Sequence, residues 1–380
     1  MNNEQKIILH LSLIEGVGAV TLNKVLKNQE AHGSLESVYG YNKQDFIKYC
    51  LVTDAQAQAL VNGLADTAQL ERESVLIENH AIDIVTIRDS DYPDFLRHIV
   101  GPPPLLYQKG TPLKKEINGI AFVGARNATN YGRKFIESCV PALVHNGFSI
   151  VSGGARGADS MAHAAALDCG GKTIAVLGSG LLRLYPTENK KLFDNITTHG
   201  GTLLSAFPLT AQPLPQHFPA RNRIIAGLSR GCVVVQAARK SGSLITAHYA
   251  LENGRDVFAV PGAVGDPLSV GCNALIAQGA RLITGPDDIL LDWGIIAQKQ
   301  PDTVRKAVKN SDARNASIAT PAQQIAALCA TACSTDELLE STQVPLQQLN
   351  QLLFELQIAG VVVQNAAGLW ETKGARSSFS

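Results

Sequence analysis

The sequence has few charges, few cysteines and no long apolar segment, and each shortage excludes a class of protein. No apolar run approaches the roughly 18 to 20 residues that span a bilayer, and the N-terminus lacks the cleavage site of a signal peptide. The seven cysteines are odd in number and scattered. Near Cys329 and Cys333, no further Cys or His completes a zinc set. We therefore expect a cytoplasmic protein with free thiols, no metal and no membrane partner.

Charge is scarce and balanced overall, but it is distributed unevenly. Charged residues make up 17% of the chain, and 33 Lys and Arg residues equal 33 Asp and Glu residues. This excludes a highly charged disordered chain and a globally basic nucleic-acid coat. However, no acid occurs between Asp194 and Glu252, whereas that stretch contains Arg221, Arg223, Arg230, Arg239 and Lys240. Cations without nearby acids favour an anion-binding site over chance depletion in a buried segment.

The pattern of elements predicts three domains for the 380 residues. Residues 1–80 read as short helices, with a turn at Gly16-Val17-Gly18 that resembles a helix-hairpin-helix but is more simply structural. Residues 81–297 alternate strands, glycine loops and helices. A polar linker is expected at 298–318, followed at 319–375 by three helices and a hairpin, which together make a winged helix.

The central domain is predicted to be α/β, with an extended Rossmann-like, doubly wound parallel sheet. Its predicted strands are apolar nearly throughout, as strands buried on both faces must be. They are 120–123, 148–151, 173–177, 232–235 and 257–260. Helical segments between them indicate right-handed crossovers.

Glycine-rich loops follow several of these strands, at the edge where open α/β sheets bind ligands. Glycine lets the backbone approach a ligand, helix N-termini add partial positive charge, and arginine adds a fork of donors. The relevant loop residues are Gly124, Ala125 and Arg126, then Gly153, Gly154 and Arg156, and later Ser241, Gly242 and Ser243. Neither an ATPase P-loop nor a dinucleotide fingerprint is present, so we predict a phosphate pocket without a cofactor.

Catalytic constellations are scarce. Asp159 and His163 are four residues apart on a predicted helix, and a hydrogen bond on the helix surface is the favoured interpretation over an acid–base pair. Ser243 has no evident base, and His217 and His248 have no metal-ligand spacing. The predicted site is therefore suited to holding anions rather than to breaking bonds.

Seven ordered motifs resemble the DprA/Smf family of DNA-processing proteins of natural transformation. They are GARNATNYG at 124–132, SGGARGADSMAH at 152–163, TIAVLGSGL at 173–181, YPTENKKL at 185–192, FPARNRIIAGLS at 218–229, SGSLITA at 241–247 and VFAVPG at 257–262. The resemblance implies a non-enzymatic protein that binds and protects incoming single-stranded DNA, dimerises through its Rossmann domain and loads the RecA recombinase. It also implies DNA-binding roles for Arg126, Lys190, Arg221, Asn222 and Arg223.

The chain departs from the family pattern at two positions. Gln236-Ala237 stands where the family usually has Glu-Ala, and Ser205-Ala206 where it often has Ser-Glu. Both changes remove a carboxylate and would make the pocket less repulsive to phosphate. The alternative interpretation is a nucleotide-processing enzyme, like the nucleoside-monophosphate phosphoribohydrolases. In that case Tyr249 stands where the acidic residue of the enzyme motif should be.

Three expectations concern binding. The first is a single pocket that joins Arg126, Lys190, Arg221 and Arg223, with backbone amides of Gly153-Gly154 as further donors and Tyr185 or Phe218 as a stacking surface. The second is a dimer contact through 271–280. The third is that the winged helix is not a major DNA reader, because residues 319–371 contain five acids and no Lys or Arg.

Overall fold

The computed structural model describes residues 1–29, 33–296, 321–329, 333–342, 344–365 and 368–372. The chain forms two compact units, Met1–Lys299 and Gln300–Ser380. The predicted linker at 298–318 lies outside the described residues. No helix among the described residues combines the length and apolar character needed to cross a bilayer.

The first unit contains thirteen helices among its described residues, besides two short 3-10 turns. They are α1 Asn3–Leu13, α2 Ala19–Gln29, α3 Lys43–Cys50, α4 Asp54–Leu64, α5 Ala68–Asn79, α6 Asp94–Arg97, α7 Asn130–His145, α8 Ala158–Asp168, α9 Lys190–Thr198, α10 His217–Gly227, α11 Gly242–Glu252, α12 Val270–Ala277 and α13 Pro286–Asp292. Its strands are β1 Asp83–Thr86, β2 Leu105–Gly110, β3 Gly119–Val123, β4 Ser149–Ser152, β5 Thr173–Val176, β6 Thr202–Ser205, β7 Gly231–Val234, β8 Asp256–Ala259 and β9 Arg281–Leu282.

These strands form one sheet of nine, in the order β1-β2-β6-β5-β4-β3-β7-β8-β9. The six neighbouring pairs β6-β5, β5-β4, β4-β3, β3-β7, β7-β8 and β8-β9 are parallel. β1 and β2 extend the sheet beside β6 in antiparallel pairing. All five predicted strands are confirmed within one or two residues of their ends. β6 was not predicted, because its apolar run is only Leu203-Leu204, between polar Thr202 and Ser205.

The order of the strands reverses between β3 and β7, which are direct neighbours. The chain proceeds from β3 to β4, β5 and β6 on one side, then returns to β7, β8 and β9 on the other. Loops after β3 and β7 therefore diverge at their carboxyl ends and leave a crevice. Such a crevice is where doubly wound sheets bind their ligands.

The N-terminal helices pack directly onto the sheet. Buried side chains of α1 to α5 belong to one apolar cluster with Tyr107 of β2 and with Leu177, which follows β5. Buried Glu73 of α5 accepts a hydrogen bond from the backbone amide of Leu209 at 2.7 Å. The helical region and the sheet consequently share a core rather than meeting only through a linker.

The second unit has the predicted winged-helix elements. Its helices are α14 Pro321–Leu328, α15 Thr335–Thr342 and α16 Leu346–Ile358, and its antiparallel hairpin pairs β10 Val362–Gln364 with β11 Trp370–Thr372. A small core joins the three helices to β10 through Ile325, Leu338, Leu349, Leu353 and Val362. Gln347, Gln348, Asn350 and Gln351 of α16 are exposed, as the helical phase predicts.

Candidate anion-binding site

A cavity of about 350 Å³ lies at the reversal point of the sheet. Its lining comes from the loop after β3, the start of α8, one face of α10, and the loop that leads into α11. A smaller cavity of about 200 Å³ shares Arg126, Ala155, Phe218 and Arg221 with it. The two therefore form one groove, and its cationic lining residues are Arg126, Arg156, Arg221 and Lys240.

Two of the exposed cations of this groove are Arg126 and Lys240, which with Ser241–Ser243 we call the rim. Within the described part of the chain, neither Arg126 nor Lys240 has a hydrogen bond or an ion pair. No carboxylate of the described residues pairs with Arg126. Both cations are available to an anion.

The start of α11 forms the third part of the rim. Ser241 is the N-cap residue, and its Oγ accepts from the amide of Ser243 at 3.3 Å and lies 2.7 Å from the hydroxyl of Ser243. Gly242 faces open space, because a Cβ at this position would meet nothing within 4 Å. Asn222 of α10 holds the turn by donating from Nδ2 to the carbonyl of Gly242 at 3.2 Å. The turn therefore presents a helix N-terminus to the cavity.

Beneath the rim lies a buried polar cluster that we call the floor: Gly153, Asp159, His163 and Arg221. Arg221 is only 5% exposed, and its Nη1 donates to the carbonyls of Gly153 and Val176. Burial lowers the pKa of Arg221 to about 10, and the nearby Asp159 opposes this shift. A Cβ on Gly153 would lie 2.0 Å from Nη1, so a larger residue here would displace the Arg221 guanidinium.

Asp159 closes the floor from the other side. Its carboxylate accepts from the backbone amides of Gly153 at 3.1 Å and Ala155 at 3.3 Å. Burial raises the pKa of Asp159, while Arg221 and these amides lower it. The Gly153 amide, which the sequence suggested as a ligand donor, is therefore already bonded within the protein.

His163 bonds away from Asp159, so the predicted hydrogen bond between them is wrong. Its Nδ1 lies 2.7 Å from Thr173 Oγ1, and Thr173 donates its own proton to the carbonyl of Ile150 at 2.8 Å. Nδ1 of His163 must consequently donate. Both residues are buried rather than on a helix surface, and burial lowers the pKa of His163 to about 3.

Two predicted members of the site lie elsewhere. Arg223 is two residues from Arg221 and so points about 200° away around α10. Nη1 of Arg223 lies beside Gly101, and the charge of Arg223 partly opposes the rise that burial causes in the pKa of Tyr92. Lys190 is the exposed first residue of α9 and does not line either cavity.

The other predicted residues lie in or beside the two cavities. Arg156 is exposed and forms an ion pair with Glu188 at 2.9 Å, so its charge is partly matched. Tyr185 and Phe218 are in edge contact, with ring centroids 5.8 Å apart, and both line this cavity. Gly124 lines the larger cavity, whereas Ala125 is buried behind it. Gly154 adopts a φ of +64°, which suits glycine.

Sequence reasoning omitted Lys240 from the site residues, although it belongs to the acid-free stretch and directly precedes Ser241. It also missed that Asp159 bonds the loop before it. No local pattern gives the direction of that carboxylate, because its partners lie on a loop whose path depends on the whole sheet.

Comparison with known proteins gives a consistent result. Residues 83–294 match the family described as DNA recombination-mediator protein A, and residues 311–368 match the DprA winged helix domain. The DNA processing protein DprA of Bacillus subtilis is 43% identical over 58% of this chain and 74% of its own length. That of Streptococcus pneumoniae is 48% identical over 55% of this chain and 73% of its own length. The X-ray structure of DNA processing protein A from Streptococcus pneumoniae superposes with a TM-score of 0.65 and 38% identity, covering 77% of this chain and 98% of that one.

Proposed function

This chain belongs to the DNA recombination-mediator protein A family, and we propose that it binds single-stranded DNA in the groove at the carboxyl edge of its sheet. The observation that carries the proposal is the rim, where Arg126 and Lys240 have no partner in the described residues. A single strand offers one phosphate per nucleotide and unstacked bases. The rim supplies cations for the phosphates, and Tyr185 is exposed enough to stack with a base.

The direct test is a titration of labelled oligo(dT) against the protein and the double variant Arg126→Ala, Lys240→Ala. Binding to single strands should weaken with salt, with a slope of about −0.7 per phosphate neutralised. The double variant should lose up to about 1.4 of that slope while its melting temperature stays unchanged. Arg72→Ala removes an exposed cation on α5 and serves as the control.

Duplex DNA of the same length supplies the comparison ligand. We expect weaker binding to it, because paired bases are not available for stacking on Tyr185. Unchanged affinity and salt slope in the folded double variant, with Arg72→Ala also unchanged, would remove the groove as the DNA site.

We further propose that the bound strand is protected from nucleases and passed to the RecA recombinase. The family assignment to recombination mediators supports this step. A faster onset of RecA ATPase activity on long single strands, in the presence of this protein, is the expected result. No acceleration at saturating protein would contradict loading.

The proposed assembly is a homodimer through α12 and the residues that follow it. The helix carries no charged side chain, and Ala274 and Ala277 are exposed on it. A dimer would place two grooves on one strand and raise the effective affinity. Sedimentation should show a dimer at micromolar concentration, and a monomer throughout would contradict it.

We propose no bond-breaking step for this groove. An enzyme that releases the base from a nucleoside monophosphate needs an acid–base group near the sugar. Tyr249, at the position of that acid, lies toward Arg223 rather than in the cavity lining. Incubation with AMP should release no adenine. Release of free adenine by the protein would favour the enzyme instead.

A further inference from the structure

Gln236 lies directly behind the wall of the cavity, between the end of β7 and the start of α7. Its side chain is buried, and its Oε1 accepts a hydrogen bond from the amide of Thr129 at 2.8 Å. Its Nε2 donates to Thr129 Oγ1 at 3.1 Å. Because a backbone N–H only donates, the oxygen of the side-chain amide must face it. The position and orientation of Gln236 are therefore both determined.

Gln236 closely approaches two glycines of the neighbouring segment. A Cβ on Gly132 would lie 2.6 Å from its Oε1, and a Cβ on Gly124 would lie 3.2 Å from its carbonyl oxygen. Gly124 and Arg126 line the cavity, and Thr129 ends the same segment. The side chain of Gln236 thus holds the far end of the segment that carries Arg126 through its hydrogen bonds to Thr129, whereas the backbone of Gln236 lies against Gly124.

The Gln236 side chain is uncharged, although it lies at a helix N-terminus where a negative charge would be locally favourable. Thr129 is the N-cap residue of α7, and its own side chain makes no capping hydrogen bond. Helix N-termini commonly accept carboxylates, which their partial positive charge stabilises. A buried carboxylate here would be poorly screened, would attract the Arg126 guanidinium and would repel phosphate in the cavity.

We propose that Gln236 is a positioning residue for the DNA groove, holding the Arg126 segment in place while keeping the cavity wall neutral. The inference rests on the proposed function of the groove. It goes beyond it by assigning a role to a side chain that does not line the cavity.

The test compares Gln236→Glu with the control Gln44→Glu, which adds the same charge at an exposed position on α3. The two oxygens of Glu accept from the Thr129 amide and hydroxyl, so the variant should fold with a melting temperature within a few degrees. We expect its Kd for oligo(dT) to rise about fivefold at low salt, and the difference to shrink as salt increases. Gln44→Glu should bind like the original chain.

Gln236→Met separates position from charge. It removes the hydrogen bonds to Thr129 without adding charge, so it should lower the melting temperature and weaken binding with little change in salt slope. Equal binding of Gln236→Glu and the original chain at low salt, while Arg126→Ala binds weakly, would overturn this inference alone. If Arg126→Ala also binds normally, the proposed groove itself is wrong.

Discussion

The rim and the floor of the groove each contain an arginine, but one is exposed and the other is buried. Arg126 on the rim is exposed and has no partner in the described residues, whereas Arg221 on the floor is buried and donates to two backbone carbonyls. Lys240, like Arg126, is exposed and has no partner in the described residues. Asp159 belongs to the floor because it accepts hydrogen bonds from Gly153 and Ala155, in the loop to which Arg221 donates. The charge on the rim is therefore available to a ligand, and the charge on the floor is used to hold the loop.

This difference separates binding from stability. Removing a cation from the rim deletes an interaction that forms only with the ligand. Removing Arg221 from the floor leaves two buried carbonyls without their donor and a buried carboxylate without its counter-charge, which costs the folded state several times more. The predictions below test that separation, beginning with the largest effect.

Arg221→Ala should lower the free energy of unfolding by about 3 to 5 kcal/mol, because it leaves Asp159 without its counter-charge in a buried position. Urea unfolding followed by circular dichroism measures the loss. Arg126→Ala, the matched rim variant, should change the unfolding free energy by less than about 0.5 kcal/mol. A stable Arg221→Ala protein with weak DNA binding would show that Arg221 binds the ligand rather than stabilising the fold.

Acid should destabilise the floor through His163. Burial lowers the pKa of His163 from 6.5 to about 3, so below pH 6.5 the unfolded chain binds a proton that the folded chain does not. This contribution is complete above pH 6.5 and is lost as the pH falls, by about 2 kcal/mol between pH 7 and pH 5. His163→Gln should show a correspondingly flatter pH dependence of the unfolding free energy. An identical pH dependence in the two proteins would contradict the assignment.

Arg126→Ala should weaken binding of single-stranded DNA about tenfold at low salt and make the salt slope shallower by about 0.7. The effect should be the same for different base sequences, because phosphate contacts carry no sequence information. Fluorescence anisotropy at several salt concentrations gives both quantities. Arg72→Ala should change neither, and an equal loss in that control would indicate a general effect of charge.

Deleting residues from 319 onward should have the smallest effect, a change in single-strand affinity of less than about threefold. Residues 319–371 contain five acids and no cation, so they lack the groups that bind phosphate. The groove lies wholly within the other compact unit. A loss of binding on deletion would show that the C-terminal residues contribute to DNA binding.

The location of the groove followed from the sequence because parallel strands end at one edge of a sheet. Apolar strands buried on both faces were recognisable, and Gly124, Arg126 and Ser241–Ser243 follow their ends. The winged-helix elements were also predictable from helix caps and the short hairpin. In contrast, β6 and the packing of the N-terminal helices on the sheet depend on contacts between distant segments, which no local pattern contains.

The doubly wound sheet, the edge that carries the groove and the cations near it could all be predicted from the amino-acid sequence, because strand and helix periodicity are local properties. Which of these cations are free depends on contacts that form in the folded protein. Arg223 points away because of its phase on α10, and Arg221 is bonded because β4 and β5 end where their carbonyls reach it. Likewise, Gln236 and Thr129 are 107 residues apart in the chain and meet only because β3 and β7 are neighbours. Whether a charged side chain is paired within the protein or is available to a ligand depends on such distant partners. These partners come together only when the sheet is assembled.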